Sequence, residues 1–110
     1  MKSIKLLTLS TGLLLTSLSL STHATIGAGH VSGKITNITS IDQGLLVMIE
    51  GNEVPQNCTS GNAYMRIREE NQAMISMLIT AWTLGRNVTV YTSPASTGYC
   101  DVWQVDPYEQ

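Results

Sequence analysis

Hydrophobic and polar positions along the chain change period several times, and each change marks an element. Residues 6–20 are apolar and uncharged, though diluted by Ser and Thr. From 31 to 41 the apolar residues Val31, Ile35, Ile38 and Ile41 lie among threonines, which predicts a strand bent where Gly33 interrupts it. Asp42, Gln43 and Gly44 are turn residues, and 45–50 (LLVMIE) is a short apolar run suited to a buried strand. The two strands read as a hairpin. A loop over 51–61 leads to 63–68, which alternates strictly. Ala63, Met65 and Ile67 take one face and Tyr64, Arg66 and Arg68 the other, so this strand has one wet side.

The period then becomes helical over 70–84. Glu69 and Glu70 stand at the predicted start, where the helix dipole favours acid, and Gly85 follows as the C-terminal cap. At roughly 100° per residue, Asn71, Met74, Leu78, Ala81 and Trp82 line one face, with Trp82 expected in the core. Ile75 and Ile79 widen that face on one flank, Met77 and Leu84 on the other. The apolar arc spans roughly 220°, about twice the stripe of an ordinary surface helix. The remainder, Gln72, Ser76, Thr80 and Thr83, is polar but uncharged. Such a stripe suits a helix that packs on its own domain with one side and on copies of itself with another. Met74 and Met77 would adapt well to that contact. The plainer alternative is a helix buried wholly against its own domain. Two strands follow, 88–92 and 100–105. In the second, Cys100, Val102 and Gln104 should face one way and Asp101, Trp103 and Val105 the other, with Asp106 and Pro107 ending it.

The order is strand, strand, strand, helix, strand, strand. It predicts a mostly β domain with one helix, best matched in size by the five-stranded Greek-key barrel called the OB-fold. In that topology the third and fifth strands run side by side in parallel. Cys58 then lies just before one of them and Cys100 opens the other, within reach of a disulfide.

The first 24 residues read as a secretory signal. Lys2 and Lys5 precede the apolar stretch, and Thr22, His23 and Ala24 offer a small-residue cleavage site. A membrane anchor would need about 20 predominantly apolar residues, and no later run reaches that length. A single domain over 25–110 is expected, secreted or periplasmic. Its four basic and eight acidic residues give a net charge of −4. That balance argues against nucleic acid, which demands a surplus of Lys and Arg. In an oxidising compartment, Cys58 and Cys100 are expected to pair rather than to bind metal, since they lack zinc-site clustering. A domain this small often needs such a staple or a partner subunit.

Catalytic chemistry does not declare itself. His30 has no partnered nucleophile, no Gly-x-Ser-x-Gly elbow surrounds any serine, and the expected protein is no enzyme and uses no cofactor. Asn-x-Thr sequons at Asn37, Asn57 and Asn87 are read as chance. Tyr64, Tyr99 and Trp103 are the aromatics that could stack on a sugar or a partner, with ordinary sheet packing as the simpler role.

Taken with GKITNI at 33–38, PQNC at 55–58, AWTLGRNVTVY at 81–91 and GYCDVW at 98–103, the chain resembles the B subunits of bacterial AB-type toxins, in the subtilase-cytotoxin and pertussis-like branch. The resemblance implies an exported OB-fold subunit in a homo-oligomeric ring of five. Its helix would line a pore through Gln72, Ser76, Thr80 and Thr83, its outer surface would bind a host glycan, and an A subunit would accompany it. The competing expectation is a monomeric periplasmic OB-fold protein that binds a small ligand or a cell-envelope partner.

Overall fold

A computed structural model describes residues 23–108. The expected export signal therefore lies outside the described residues, apart from its last two. Six strands and one α-helix follow in the order β1 (Thr25–Ile26), β2 (His30–Ile41), β3 (Gly44–Ile49), β4 (Met65–Arg68), α1 (Gln72–Thr83), β5 (Asn87–Thr92) and β6 (Cys100–Tyr108). A 3-10 turn at Glu50–Asn52 leaves β3. The domain is mostly β with one helix, as its periodicity predicts. The two-residue β1, too short to show a period, is an addition.

The sheet runs β1-β2-β3-β4-β6-β5, and a further β2–β5 pairing closes the five longer strands into a ring with OB-fold-like order. The long β2 makes closure possible. Residues 30–34 pair with β5, and residues from Ile35 onward pair with β3. Pairing passes from β5 to β3 between Lys34 and Ile35, and the register with β3 shifts between Ile35 and Asn37, where β2 is bulged. Gly33 instead admits a close approach: an added Cβ would lie 3.1 Å from Ile49 and 3.3 Å from Ala24. At the hairpin, Gly44 has φ 141°, and a Cβ there would stand 2.1 Å from the Ile67 carbonyl oxygen. Only glycine fits that position.

β4 and β6 are parallel, pairing Met65 with Cys100 and Arg66 with Asp101. Cys58 and Cys100 are bonded, with Cα atoms 5.8 Å apart. The neighbouring loops are laced to this bridge. Thr59 N donates to Ala95 O at 2.8 Å, and Asn57 Nδ2 donates to Thr92 O at 2.9 Å. The buried Thr92 hydroxyl donates back to Asn57 Oδ1 at 2.8 Å. Asn57 is thus occupied in holding the fold, which leaves its sequon without a free side chain.

The core is the inward-facing set of the ring, including Val31, Val47, Ile49, Met65, Ile67, Val88 and Val90, all fully buried. α1 caps it with Leu78 and Ala81, while Met74 and Ile75 are only partly buried against it. The helix starts later than its acidic residues suggest. Asn71 is the N-cap, so Glu69 and Glu70 lie in the preceding turn rather than in the first helical turn. Gln72 Nε2 reaches back to the Glu69 carbonyl. The far end is as expected: Gly85, with φ 71°, closes a Schellman motif in which Arg86 N donates to Ala81 O at 2.8 Å and Gly85 N to Trp82 O at 3.1 Å.

β6 departs from prediction twice. It continues through Asp106 and Pro107 to Tyr108, because Pro107 pairs with Val88 at a rung where the opposite edge of β6 has no strand to lose a hydrogen bond to. It is also bulged: Tyr91 pairs with Gln104 and Thr92 with Val102, leaving Trp103 as the extra residue. The alternation therefore shifts, and Val105 points into the core instead of sharing the face of Trp103.

The disulfide closes a separation of 42 residues, worth about 4 kcal/mol on the chain-entropy estimate. Replacing both cysteines by serine should cost a loss of that order in a urea titration. A change under about 1 kcal/mol would show that the bridge is not a main staple.

Candidate functional site

Two surfaces carry residues that the core does not explain. The first is the exposed side of α1. Trp82, expected in the core, is 46% exposed; Met77 and Ile79 are comparably open, and Leu84 is 65% exposed. The cause is geometric. The small ring receives only the Leu78–Ala81 stripe, and the rest of the broad apolar arc has no wall of its own domain to meet. The uncharged stripe lies outermost, with Gln72, Ser76, Thr80 and Thr83 all exposed. Thr80 Oγ1 donates to Ser76 O and Thr83 Oγ1 to Ile79 O, each at 2.8 Å. These hydroxyls spend their protons on the helix itself, so the face can lose water without orphaning those donors. On one flank, a groove of about 430 Å³ runs between α1 and Pro107, lined mainly by Ala73, Met77, Thr80 and Leu84, with Arg86 at its wall.

The second surface is the outer face of β2, β5 and β6. The cross-strand partners His30 and Tyr91 bring their ring centroids to 5.7 Å, and Tyr91 in turn lies 5.4 Å from Trp103. Three rings on three strands thus form one row. The bulge lifts Trp103 out of the sheet, leaving it 56% exposed, with Gln104 beside it opposite the same Tyr91. In the adjacent rung Ser32 and Thr89 share a hydrogen bond at 2.7 Å, and Thr89 pairs with the exposed Asp106. An aromatic platform is therefore flanked by amide, carboxylate and hydroxyl groups. His30, considered on sequence grounds only as a possible base, has a clear structural role as the inner end of the ring row.

Of the three aromatics expected at a ligand, only Trp103 belongs to this row. Tyr64 and Tyr99 immediately precede the Met65–Cys100 rung and make no ring contact with Trp103; the Tyr64 hydroxyl accepts from Asn37 Nδ2 at 2.7 Å. Tyr91 and His30 escape a linear reading because the register that aligns them joins residues far apart in the chain.

Beside the seam lies the principal charge cluster. Arg66 Nε donates to Asp101 Oδ1 at 2.9 Å, Arg68 Nη2 to Oδ2 at 2.8 Å, and Arg66 Nη1 to Gln43 Oε1 at 2.9 Å. This arrangement is structural, a clamp across β4 and β6 in which one carboxylate meets two guanidinium groups. Burial pushes the Asp101 carboxyl up, but hydrogen bonds and charge from Arg66 and Arg68 outweigh it and hold the group below its ordinary value. Among the described residues, no group of three or more His, Cys, Asp or Glu side chains could hold a metal ion, and no helix is long and apolar enough to cross a membrane.

A depressed folded-state value means that Asp101 contributes its stability in full above about pH 4, the unfolded carboxylate value, and loses it as pH falls through the folded one. Asp101→Asn should therefore be less stable than the native chain at pH 7. In urea titrations the gap should narrow progressively as pH falls below about 4; a gap that keeps its full size throughout the acid range would contradict the clamp. No protein-family model, curated protein or solved structure matches the chain.

Proposed function

We propose that the chain is a secreted or periplasmic, non-enzymatic binding subunit that recognises a saccharide through the outer face of β2, β5 and β6. The observation that carries this reading is the exposed indole of Trp103, raised by a β-bulge and backed by Tyr91. A tryptophan held open to solvent offers a flat apolar surface to the C–H face of a sugar ring, while hydrogen-bonding groups at its edge meet the hydroxyls. Gln104 and Asp106 are the groups to which this reading gives that second task. The disulfide supports an oxidising destination.

The toxin-B likeness extends the reading to a homo-oligomer, a ring of five with its uncharged helix stripe turned to a central pore. A host glycan is then the ligand, and an enzymatic A subunit the companion. The exposed, charge-free side of α1 supports self-association, since bulk water rarely faces so much apolar helix surface.

Screening the purified protein on an array of mammalian glycans, followed by fluorescence titration of the best binder, tests the ligand. Trp103→Ala should weaken binding roughly tenfold or more, the loss usual for a removed aromatic anchor. An array that retains nothing, or a Trp103→Ala variant that binds as the native chain does, would sink the proposal.

A further inference from the structure

We infer that the ligand is a neutral oligosaccharide, several sugars long, lying along the outer face of β6 with one ring on Trp103 and another on Tyr108. The inference rests on the saccharide reading above and specifies the length and charge of its ligand.

Directly paired residues share a face, so the outer side of β2, β5 and β6 is a stack of rows. The first is His30, Tyr91 and Gln104, with Trp103 beside it; the next is Ser32, Thr89 and Asp106; the last is Lys34, Asn87 and Tyr108. Aromatic surface thus recurs at both ends of one strand face, and Tyr108, like Trp103, is exposed. From Gln104 to Tyr108 the strand pairs with β5 without a further shift, a stretch of about 13 Å. One sugar ring cannot touch both aromatics across such a span, whereas a short chain of rings can. Between them the row of Ser32, Thr89 and Asp106 offers hydroxyls and a carboxylate to the middle sugars. Beside Tyr108, Asn87 Oδ1 is buried and accepts no hydrogen bond. A buried acceptor left unpaired is uncommon, and a sugar hydroxyl arriving at Tyr108 is the donor that this row lacks.

The chemistry of the strip narrows the class of ligand. An extended peptide draws on the backbone of an open sheet edge, whereas this strip presents ring faces, hydroxyls and amides carried on side chains. A nucleic acid would need cations along its path, and Asp106 is the only charged residue of β6 between the two rings. Lys34 stands in the row of Tyr108 but on β2, with β5 between them. The Asp106 carboxylate accepts from the hydroxyls of a neutral sugar and repels the acid group of a sialylated one. An uncharged chain of sugars is what remains.

The test is titration on an array of glycans running from monosaccharides to hexasaccharides, each neutral chain beside its sialylated form. The native protein should bind neutral chains that span the strip roughly tenfold or more tightly than any monosaccharide, and sialylation should weaken binding. In Tyr108→Ala that gain with length should disappear, and Tyr108→Phe, which keeps the ring, should restore it. Asp106→Asn should narrow the preference for neutral chains. Both positions are exposed, so each variant should keep the native far-UV spectrum and the disulfide. A native protein that holds a monosaccharide as tightly as a long chain, or that prefers sialylated forms, would overturn the inference, as would a Tyr108→Ala variant that keeps the gain with length. The two proposals fail separately. Binding that depends on Trp103 but not on length leaves the saccharide face standing without this strip, whereas an array that retains nothing removes both.

Discussion

The parallel rungs joining β4 to β6 are the contact on which the domain depends. Without them the strands would form an open sheet, and the helix that connects β4 to β5 would have no closed mouth to cap. The seam is short, Met65 with Cys100 and Arg66 with Asp101, and it is held from both sides. Inward, Met65 and Cys100 are fully buried, and Cys100 is tied to Cys58. Outward, Asp101 accepts from Arg66 and Arg68. A two-rung parallel pairing is weak in itself; covalent and ionic reinforcement at those same rungs explains how so small a ring stays closed.

Closure also sets the surface. A ring of only five strands receives a narrow strip of helix, Leu78 and Ala81, although the helix was built with a far wider apolar arc. The excess is left outside, on either side of an uncharged stripe. Within the sheet, the added residue in β6 turns Trp103 outward and restores Val105 to the core. One bulge therefore serves packing and exposure together. The two tryptophans end on different elements, Trp82 on the helix side proposed for self-association and Trp103 at the proposed ligand face, so assembly and recognition need not compete for one surface.

Much of this architecture is legible in the chain. The 3.6 period over the helix, Gly85 as its terminus, the strand order and the pairing of Cys58 with Cys100 all follow from local pattern and topology. Three features do not. Strict alternation through 100–105 conceals the bulge, because a bulge is defined by the partner strand and Tyr91 lies outside that window. Glu69 and Glu70 announce an acidic helix start that the chain delays to Gln72, since the dipole tolerates acid in the turn just before it. Trp82 reads as core because periodicity reports which residues seek burial without saying whether their own domain or a neighbour supplies it. The His30–Tyr91–Trp103 row likewise exists only once register is fixed.

The protein contains two tryptophans, which makes its central division of labour directly observable. In the variant Trp103→Phe, Trp82 is the sole indole, and its emission reports the environment of the helix flank. Emission recorded across a dilution series should be blue-shifted at high protein concentration, as for an indole enclosed by apolar side chains, and should move to the red as copies separate. A solvent-exposed spectrum at every concentration would contradict the account, for it would mean that the broad apolar side of α1 faces water with nothing to cover it.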